Sequence, residues 1–523
     1  MKSEIKFSID AISAPKNVDN MLRQYASQQT GIPFADIQDI KIITKSIDSR
    51  KERPLLVYKA VAELPDSYLA CREPYQEKNP AFELPRDVWK HPDSPVIVGT
   101  GPAGLFAAYY LAAAGAKPLI LDRGFPVEER VKRHEEFLKT RKLDTESNLL
   151  IGEGGAGTFS DGKLYTGTRS PFSRTVIEEL IRCGAPEEIG YLARPHVGSD
   201  KLRIAVANLR KRIISMGGEF RFGCEVRNLI VKDGVCCGVE LGSGEKISTG
   251  AGVIVACGLG GRELVRNIIS SGAAYTMKNY QIGCRIEHPQ EFIDCKQYHT
   301  MSRPEALGAA EYHMVSRPAK SLQVSTFCMC PGGTIVNASA WENHSITNGM
   351  SNFARDGKFA NSCLIATTKF LPGTTPDRAY ELISRMEKEL FIRGGRDYAF
   401  PCQRADDFLR DNDTYSHNLE SSCETGIVPG RINDMLTPQV RDGICAALTY
   451  FDRIMRGFIR RGNFVGIESC VSSPVRIDRG ETGESNIRNF FPSGEGMGLA
   501  GGIISAACDG MRSAENLLKA VNK

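Results

Sequence analysis

Residues 95–124 read PVIVGTGPAGLFAAYYLAAAGAKPLILDRG, and this stretch decides the fold. Val96 to Val98 is a short apolar run of buried-strand type. Gly99, Gly101 and Gly104 give the spacing G-x-G-x-x-G, and an alanine-rich helix follows until Gly115. Leu119 to Leu121 is a second strand, ending in Asp122. The first glycine permits a tight turn, the second lets a pyrophosphate approach the backbone, and the third lets the helix pack closely on the strand. The helix N-terminus offers free N–H groups and a positive dipole end to phosphates. A carboxylate at the tip of the second strand suits two free ribose hydroxyls and repels a 2′-phosphate. The unit reads as a βαβ element that binds an adenine dinucleotide. A glycine turn used for packing alone is the competing reading, and it leaves the acid about 20 residues on unexplained.

Two further stretches carry the same kind of signal. Residues 151–164, IGEGGAGTFSDGKL, hold five glycines, at 152, 154, 155, 157 and 162, which no helix or central strand accommodates. Such a loop brings backbone donors close to the polar edge of a cofactor, against the plainer reading of a surface loop. Residues 490–510, FFPSGEGMGLAGGIISAACDG, read as strand, glycine turn and helix, with Gly494, Gly496 and Gly498 before a helix that opens at Gly501. Three glycines before a helix N-terminus is anion-site geometry; a terminal packing helix is the bland alternative.

The chain has 523 residues, enough for two to four domains. A net charge of +4 over that length is too small to argue for nucleic acid or a membrane surface. The opening MKSEIKFSID has no apolar signal core, and the longest apolar stretch is the glycine-loop helix with its strand. The 16 cysteines are scattered and none forms C-x-x-C, which speaks against a zinc knuckle, an iron–sulfur run or a redox dithiol. A cytoplasmic protein with free thiols and no metal is the expectation.

Residues 1–90 read as a small α+β module of order β-α-β-β, with 72–94 as an extended linker. Its hairpin carries Lys45, Arg50, Lys51 and Arg53, a solvated turn in the plain reading and an RNA contact in the sharper one. Residues 91–270 form the first part of the dinucleotide domain, 271–463 a mixed substrate domain, and 464–523 the return to the dinucleotide domain. The substrate domain has no second G-x-G-x-x-G, so a nicotinamide donor would visit without a Rossmann domain of its own, or electrons arrive from a partner protein. Candidate chemical groups there are Arg285, Glu287 and His288 in GCRIEHP and Cys328 and Cys330 in FCMCPGG. Arg476 in SSPVR is a further candidate, for a substrate acid or phosphate. Against these stand a structural histidine and two buried thiols acting as small hydrophobes.

Taken in order, GTGPAG at 99–104, GEGGAGTFSDGKL at 152–164, FCMCPGG at 327–333, SSPVR at 472–476 and PSGEGMGLAGGI at 492–503 resemble a bacterial family of FAD-dependent dehydrogenases. The FAD domain of that family is similar to those of glutathione-reductase-type and aromatic-hydroxylase-type flavoproteins. The resemblance implies a Rossmann-like, three-layer α/β FAD-binding domain with an inserted mixed α+β domain. It also implies noncovalent FAD held by Gly99, Gly101, Pro102, Ala103 and Gly104, by Asp122 and Arg123, and by Gly154, Gly155, Gly157 and Thr158. Further contacts would come from Val226 at the adenine, from Cys257 and Gly258, and from Gly494, Glu495, Gly498, Gly501, Gly502 and Ile503 near the flavin. Cys257 stands where threonine is usual, and Glu495 where aspartate is commoner. The activity implied is a dehydrogenase or reductase acting on a small organic substrate, with NAD(P)H as transient donor. A flavin monooxygenase and an RNA-associated flavin-binding protein are the alternatives.

Overall fold

The computed structural model describes residues 2–12, 14, 18–50, 52–64, 68, 80–318, 320–412 and 419–523. The strands Val96–Val98, Leu119–Leu121, Glu219–Arg221, Val253–Val255 and Phe490–Pro492 make one five-stranded sheet. It is parallel throughout, with 253–255 between 490–492 and 96–98, and with 119–121 between 96–98 and 219–221. Its inner strands are apolar at every position because both faces are covered. Ile97, Ile120, Ile254 and Phe491 join a core built with the helices Pro102–Ala113, Ser199–Ser215 and Ile503–Val521. Val96, Val98, Leu121, Val253, Val255 and Phe490 enter a second core. That core is shared with the antiparallel ribbon Val226–Lys232, Val235–Leu241, Lys246–Ser248 and with the helix Arg262–Ser270.

The chain leaves this sheet after Val255 and rejoins it at Phe490. In between stands a six-stranded mixed sheet, ordered 324–330, 359–368, 280–289, 463–468, 400–404, 427–429. All its pairs are antiparallel except the last. Asn463–Glu468 therefore lies inside the cap sheet, bonded to 280–289 on one side and 400–404 on the other. The expected boundary at residue 464 cuts through this strand. Pairing partners nearly two hundred residues away in sequence leave no local trace, so the error is one of non-local register. The return runs through Val475–Ile477, which pairs with Tyr275–Met277.

The N-terminal module has the order read from the sequence: Lys2–Asp10, the helix Asp19–Thr30, Asp39–Asp48 and Leu55–Glu63. Its strands are antiparallel with 55–63 in the middle. Ile5, Phe7, Leu56 and Tyr58 belong to the same continuous core as Ile282 and Ile286 of the cap sheet. The basic hairpin turns onto the dinucleotide domain: Lys45 N donates to the Tyr191 carbonyl at 2.8 Å, and Ala193 N to the Lys45 carbonyl at 2.9 Å. Arg50 pairs with Asp48 and Arg53 with Asp10. Lys51 lies outside the described residues. Local carboxylates thus cancel much of the field that a nucleic-acid backbone would need. Of the expected linker, 72–79 lies outside the described residues. The following stretch is fastened down: Phe82 N donates to Thr175 Oγ1 at 2.8 Å, and its ring meets Phe172 edge-on at 4.7 Å. Among the described residues no helix is long and apolar enough to cross a membrane.

Two glycines set the spacing of the dinucleotide domain. A Cβ at Gly104 would lie 1.8 Å from the Gly99 carbonyl oxygen, and one at Gly510 would lie 1.9 Å from the Ala103 carbonyl oxygen. The helices Pro102–Ala113 and Ile503–Val521 touch backbone to backbone there. Alanine at 510 gains about 1 kcal/mol of helix propensity, while overpacking costs about 1–3 kcal/mol. Gly510→Ala is expected to lower the denaturant midpoint of the apoprotein. A raised midpoint would show that the helix pair is free to separate.

Candidate functional site

A cleft of about 950 Å3 opens between the parallel sheet and the cap sheet. One wall is formed by the glycine turn after Val98, the loop 150–163, the segment 256–261 and the turn 494–503; the other includes Thr326–Cys328, Asn348 and Glu468. Two helices begin on it, Pro102–Ala113 after Gly101 and Ile503–Val521 after Gly502, so two sets of free backbone N–H groups point toward one space.

The expected cofactor residues divide by geometry. Gly99, Gly101, Pro102, Ala103, Asp122, Arg123, Gly155, Gly157 and Val226 all line the cleft. So do Cys257, Gly258, Gly494, Glu495, Gly501, Gly502 and Ile503. Gly104, Gly154, Thr158 and Gly498 stand behind the lining. Gly104 is the packing glycine described above. A Cβ at Gly154 would meet Thr158 Oγ1 at 1.9 Å, and one at Gly498 would meet the Val475 carbonyl at 2.2 Å. Thr158 is buried at 1% exposure, and its hydroxyl is without a hydrogen-bond partner in the fold.

The catalytic candidates separate as sharply. Cys328 and Cys330 reach the cleft. His288 does not: it is fully buried, with Nε2 bonded to the Phe458 carbonyl at 2.8 Å and its ring against Phe292 and Phe458. Burial pushes its pKa down to about 4, so it is a neutral core histidine. Arg476 points outward from its strand and pairs with Asp478 at 3.3 Å, because it sits at an exposed position between buried Val475 and Ile477. It does not line the cleft.

Asp122 plays a different part from the one read in the sequence. Its Oδ2 accepts from Thr100 N at 2.8 Å and Thr100 Oγ1 at 2.5 Å, and its Oδ1 accepts from Gly124 N at 2.7 Å. The carboxylate ties the glycine turn to the end of the second strand, which leaves little of it free for ribose hydroxyls. Beside it, Arg123 is shared by Glu146 and Glu225.

Two groups that carry the site escaped the sequence reading, and a third was named there only as one of several chemical candidates. Arg130 was seen only as one charge on a charged helix. It is fully buried and donates to the carbonyls of Asn148, Gly152, Glu153 and Gly155, holding the second glycine loop in shape. Burial lowers its pKa to about 10, and it stays charged at neutral pH. The second group is in SDGKL. Lys163 Nζ donates to Asp161 at 2.6 Å and to Glu311 at 3.2 Å, and Arg355 bonds Asp161 from the cap side. Burial opposes ionisation of Asp161, yet Lys163 and Arg355 hold it well below the usual carboxylate range. The third is Arg285, fully buried in the cap sheet. It is bonded to Glu468, to Asn361 Oδ1 at 2.7 Å and to the Cys328 carbonyl at 3.4 Å. Each needs partners from distant segments, so only the motif spacing of Asp161 and Lys163 offered a hint. Among the described residues no cluster of three or more His, Cys, Asp or Glu side chains could hold a metal ion, and the cysteines are free thiols.

The fold is a mixed α/β one, with a cleft between its parallel five-stranded sheet and its six-stranded mixed sheet. Residues 279–470 match the family described as FAD-dependent protein, C-terminal domain-like, and residues 1–63 match a domain of unknown function. An uncharacterized protein of Clostridium beijerinckii is 35% identical over 513 residues, covering 96% of each chain. The chain belongs to the family of that protein. Solved structures that it resembles include a geranylgeranyl bacteriochlorophyll reductase-like protein of Thermoplasma acidophilum, with TM-score 0.35, 14% identity, and coverage of 82% of this chain and 78% of that one. Another is the myxobacterial chondrochloren halogenase CndH, with TM-score 0.37, 11% identity, and coverage of 82% and 74%.

Two outcomes follow. Asparagine at 122 presents an amide where an oxygen now accepts a backbone N–H. Asp122→Asn is therefore expected to cost the apoprotein about 1–3 kcal/mol, read as a lowered melting temperature without any ligand. An unchanged apoprotein would return Asp122 to a purely ligand-binding role. Glu495 is raised to about 7 by burial, against the pull of Lys278. A carboxyl whose folded pKa lies above its unfolded value loses stability as pH rises from about 4.5 to 7. Glu495→Gln should thus melt higher than wild type at pH 8 and equally at pH 4; a gap independent of pH would refute this.

Proposed function

We propose that the chain is an FAD-dependent oxidoreductase whose cofactor lies extended along the cleft. The observation that carries this reading is Gly101. Its φ is −68°, ordinary for any residue, and a Cβ built on it would meet nothing within 4 Å. Neither backbone strain nor packing calls for glycine there, so clearance for something entering the cleft is the physical reason left. A Cβ at Gly258 would also meet nothing within 4 Å, although its φ of +60° favours glycine in its own right.

In this reading the adenosine end rests by Arg123, Glu225 and Val226. The pyrophosphate meets the N-terminus of Pro102–Ala113, with Gly155 opposite, and the ring end meets the turn Gly494–Ile503. The bound flavin would supply two-electron transfer. The protein's share is orientation and charge. Arg130 keeps the loop carbonyls turned away from the phosphates, the dipole of Ile503–Val521 favours negative charge at the ring edge, and Glu495 is poised to hold a proton near neutral pH. NAD(P)H is proposed as the visiting donor, with a small organic molecule as the second substrate. A monooxygenase would share this cleft and would differ in consuming oxygen together with NAD(P)H.

Gly101→Val tests the reading with unusual clarity, because the free site lets the apoprotein fold unchanged. Loss of FAD retention by roughly 100-fold or more, about 2.8 kcal/mol, is expected at an unaltered apoprotein melting temperature. A yellow variant of normal stoichiometry would overturn the placement.

A further inference from the structure

The ring end of the cleft continues into a space walled by the cap sheet, and its chemistry limits what can enter. We propose, building on the reading above, that the second substrate is a neutral, planar, conjugated molecule of the quinone type rather than a carboxylate or a phosphate ester.

Charge is the first argument. Lys163 is held between Asp161 and Glu311, and Arg355 behind it is bonded to Asp161. Arg285 is spent on Glu468 and Asn361. Lys278 donates to the Gly498 carbonyl at 3.1 Å and stands by Glu495. His313 is exposed at the rim rather than set within the space. Among the described residues an anionic substrate would find no dedicated cation in this space, and desolvating a charge without a partner is costly.

The cap wall gives the second argument. Along a regular strand, successive side chains alternate faces. In Val324–Cys330 the register slips: Phe327 pairs with Cys363 and Cys330 with Asn361, so one extra residue bulges out. Cys328 adopts φ +44°, a left-handed conformation that is strained for a non-glycine residue. The result is that Phe327 and Cys328, neighbours in sequence, are both exposed and both on the cleft, while Met329 and Cys330 are buried. Arg285 fixes the bulge by bonding the Cys328 carbonyl. A bulge that re-aims side chains into a cleft is a device that folds keep next to active sites. Here it delivers an aromatic ring, 39% exposed, and a polarizable sulfur. Tyr165, 47% exposed, adds a second ring to the same cleft. Aromatic faces and sulfur are partners for a flat π-system.

The test is equilibrium dialysis of FAD-loaded protein against 9,10-anthraquinone and against its 2-sulfonate, neither of which has a vinylic carbon open to thiol addition. The neutral quinone is expected to bind roughly tenfold tighter or more. Phe327→Ala should weaken it about 3- to 10-fold with the flavin spectrum retained. Phe327→Lys, a second variant at the same exposed position, should move the preference toward the sulfonate. Equal binding of the two probes, tighter binding of the sulfonate by wild type, or binding of neither would overturn the proposal. Protein that shows no flavin spectrum after incubation with FAD would instead bring down the cofactor reading on which it rests.

Discussion

Close backbone contact is the constraint on which the rest depends. The Gly99 carbonyl lies where a side chain at 104 would sit, and the Ala103 carbonyl lies where one at 510 would sit. These contacts press the helix Pro102–Ala113 onto its strand and the helix Ile503–Val521 onto that helix. Two segments about four hundred residues apart in the chain thereby start their helices on one cleft. Helix termini carry their unsatisfied donors wherever they end, so aiming both at one space builds a binding site from backbone alone.

A site made of backbone needs its shape enforced, and buried charge does this. Asp122 holds the first turn through Thr100 and Gly124; Arg130 holds the second loop through four carbonyls. A buried ion pair adds little net stability, but removal of one partner leaves the other stranded. The same logic runs through the Asp161–Lys163–Glu311–Arg355 group, which bridges the dinucleotide domain and the cap. These groups act as register pins between segments that hydrophobic contact alone would allow to slide.

This division explains what was legible in the sequence. Gly99, Gly101, Gly155, Gly494 and Gly502 announce themselves, because glycine spacing is local and each strand–turn–helix unit is contiguous. The order of the N-terminal module was legible for the same reason. His288 and Arg476 stay open as candidates in the sequence because a side chain's face depends on strand partners: Phe458 covers the first, and the second sits at an outward position of a short strand. Asn463–Glu468 was assigned to the wrong domain because its neighbours, 280–289 and 400–404, come from elsewhere in the chain. Arg130 looked like any charge on a helix. Its role appears only when the loop at 148–155 folds over it.

The bulge at Cys328 shows where such reading stops and why the stop matters. From sequence, Cys328 and Cys330 lie on one face of a strand. In the fold the inserted residue exposes Phe327 and Cys328 on the cleft and leaves Cys330 buried at the cleft wall, where its thiol donates to the Cys328 carbonyl at 3.3 Å. Glycine would relieve the left-handed backbone at 328, and a regular strand would remove the need for it. The chain keeps neither, and it commits a buried arginine to hold the distortion. Strain of this kind persists where the surroundings over-determine it, and here the surroundings are the Arg285–Glu468–Asn361 group and the neighbouring strand 359–368. What the distortion yields is surface on the cleft, an aromatic ring and a thiol side by side, so the cap's contribution lies in the shape of its wall as much as in any single reactive group.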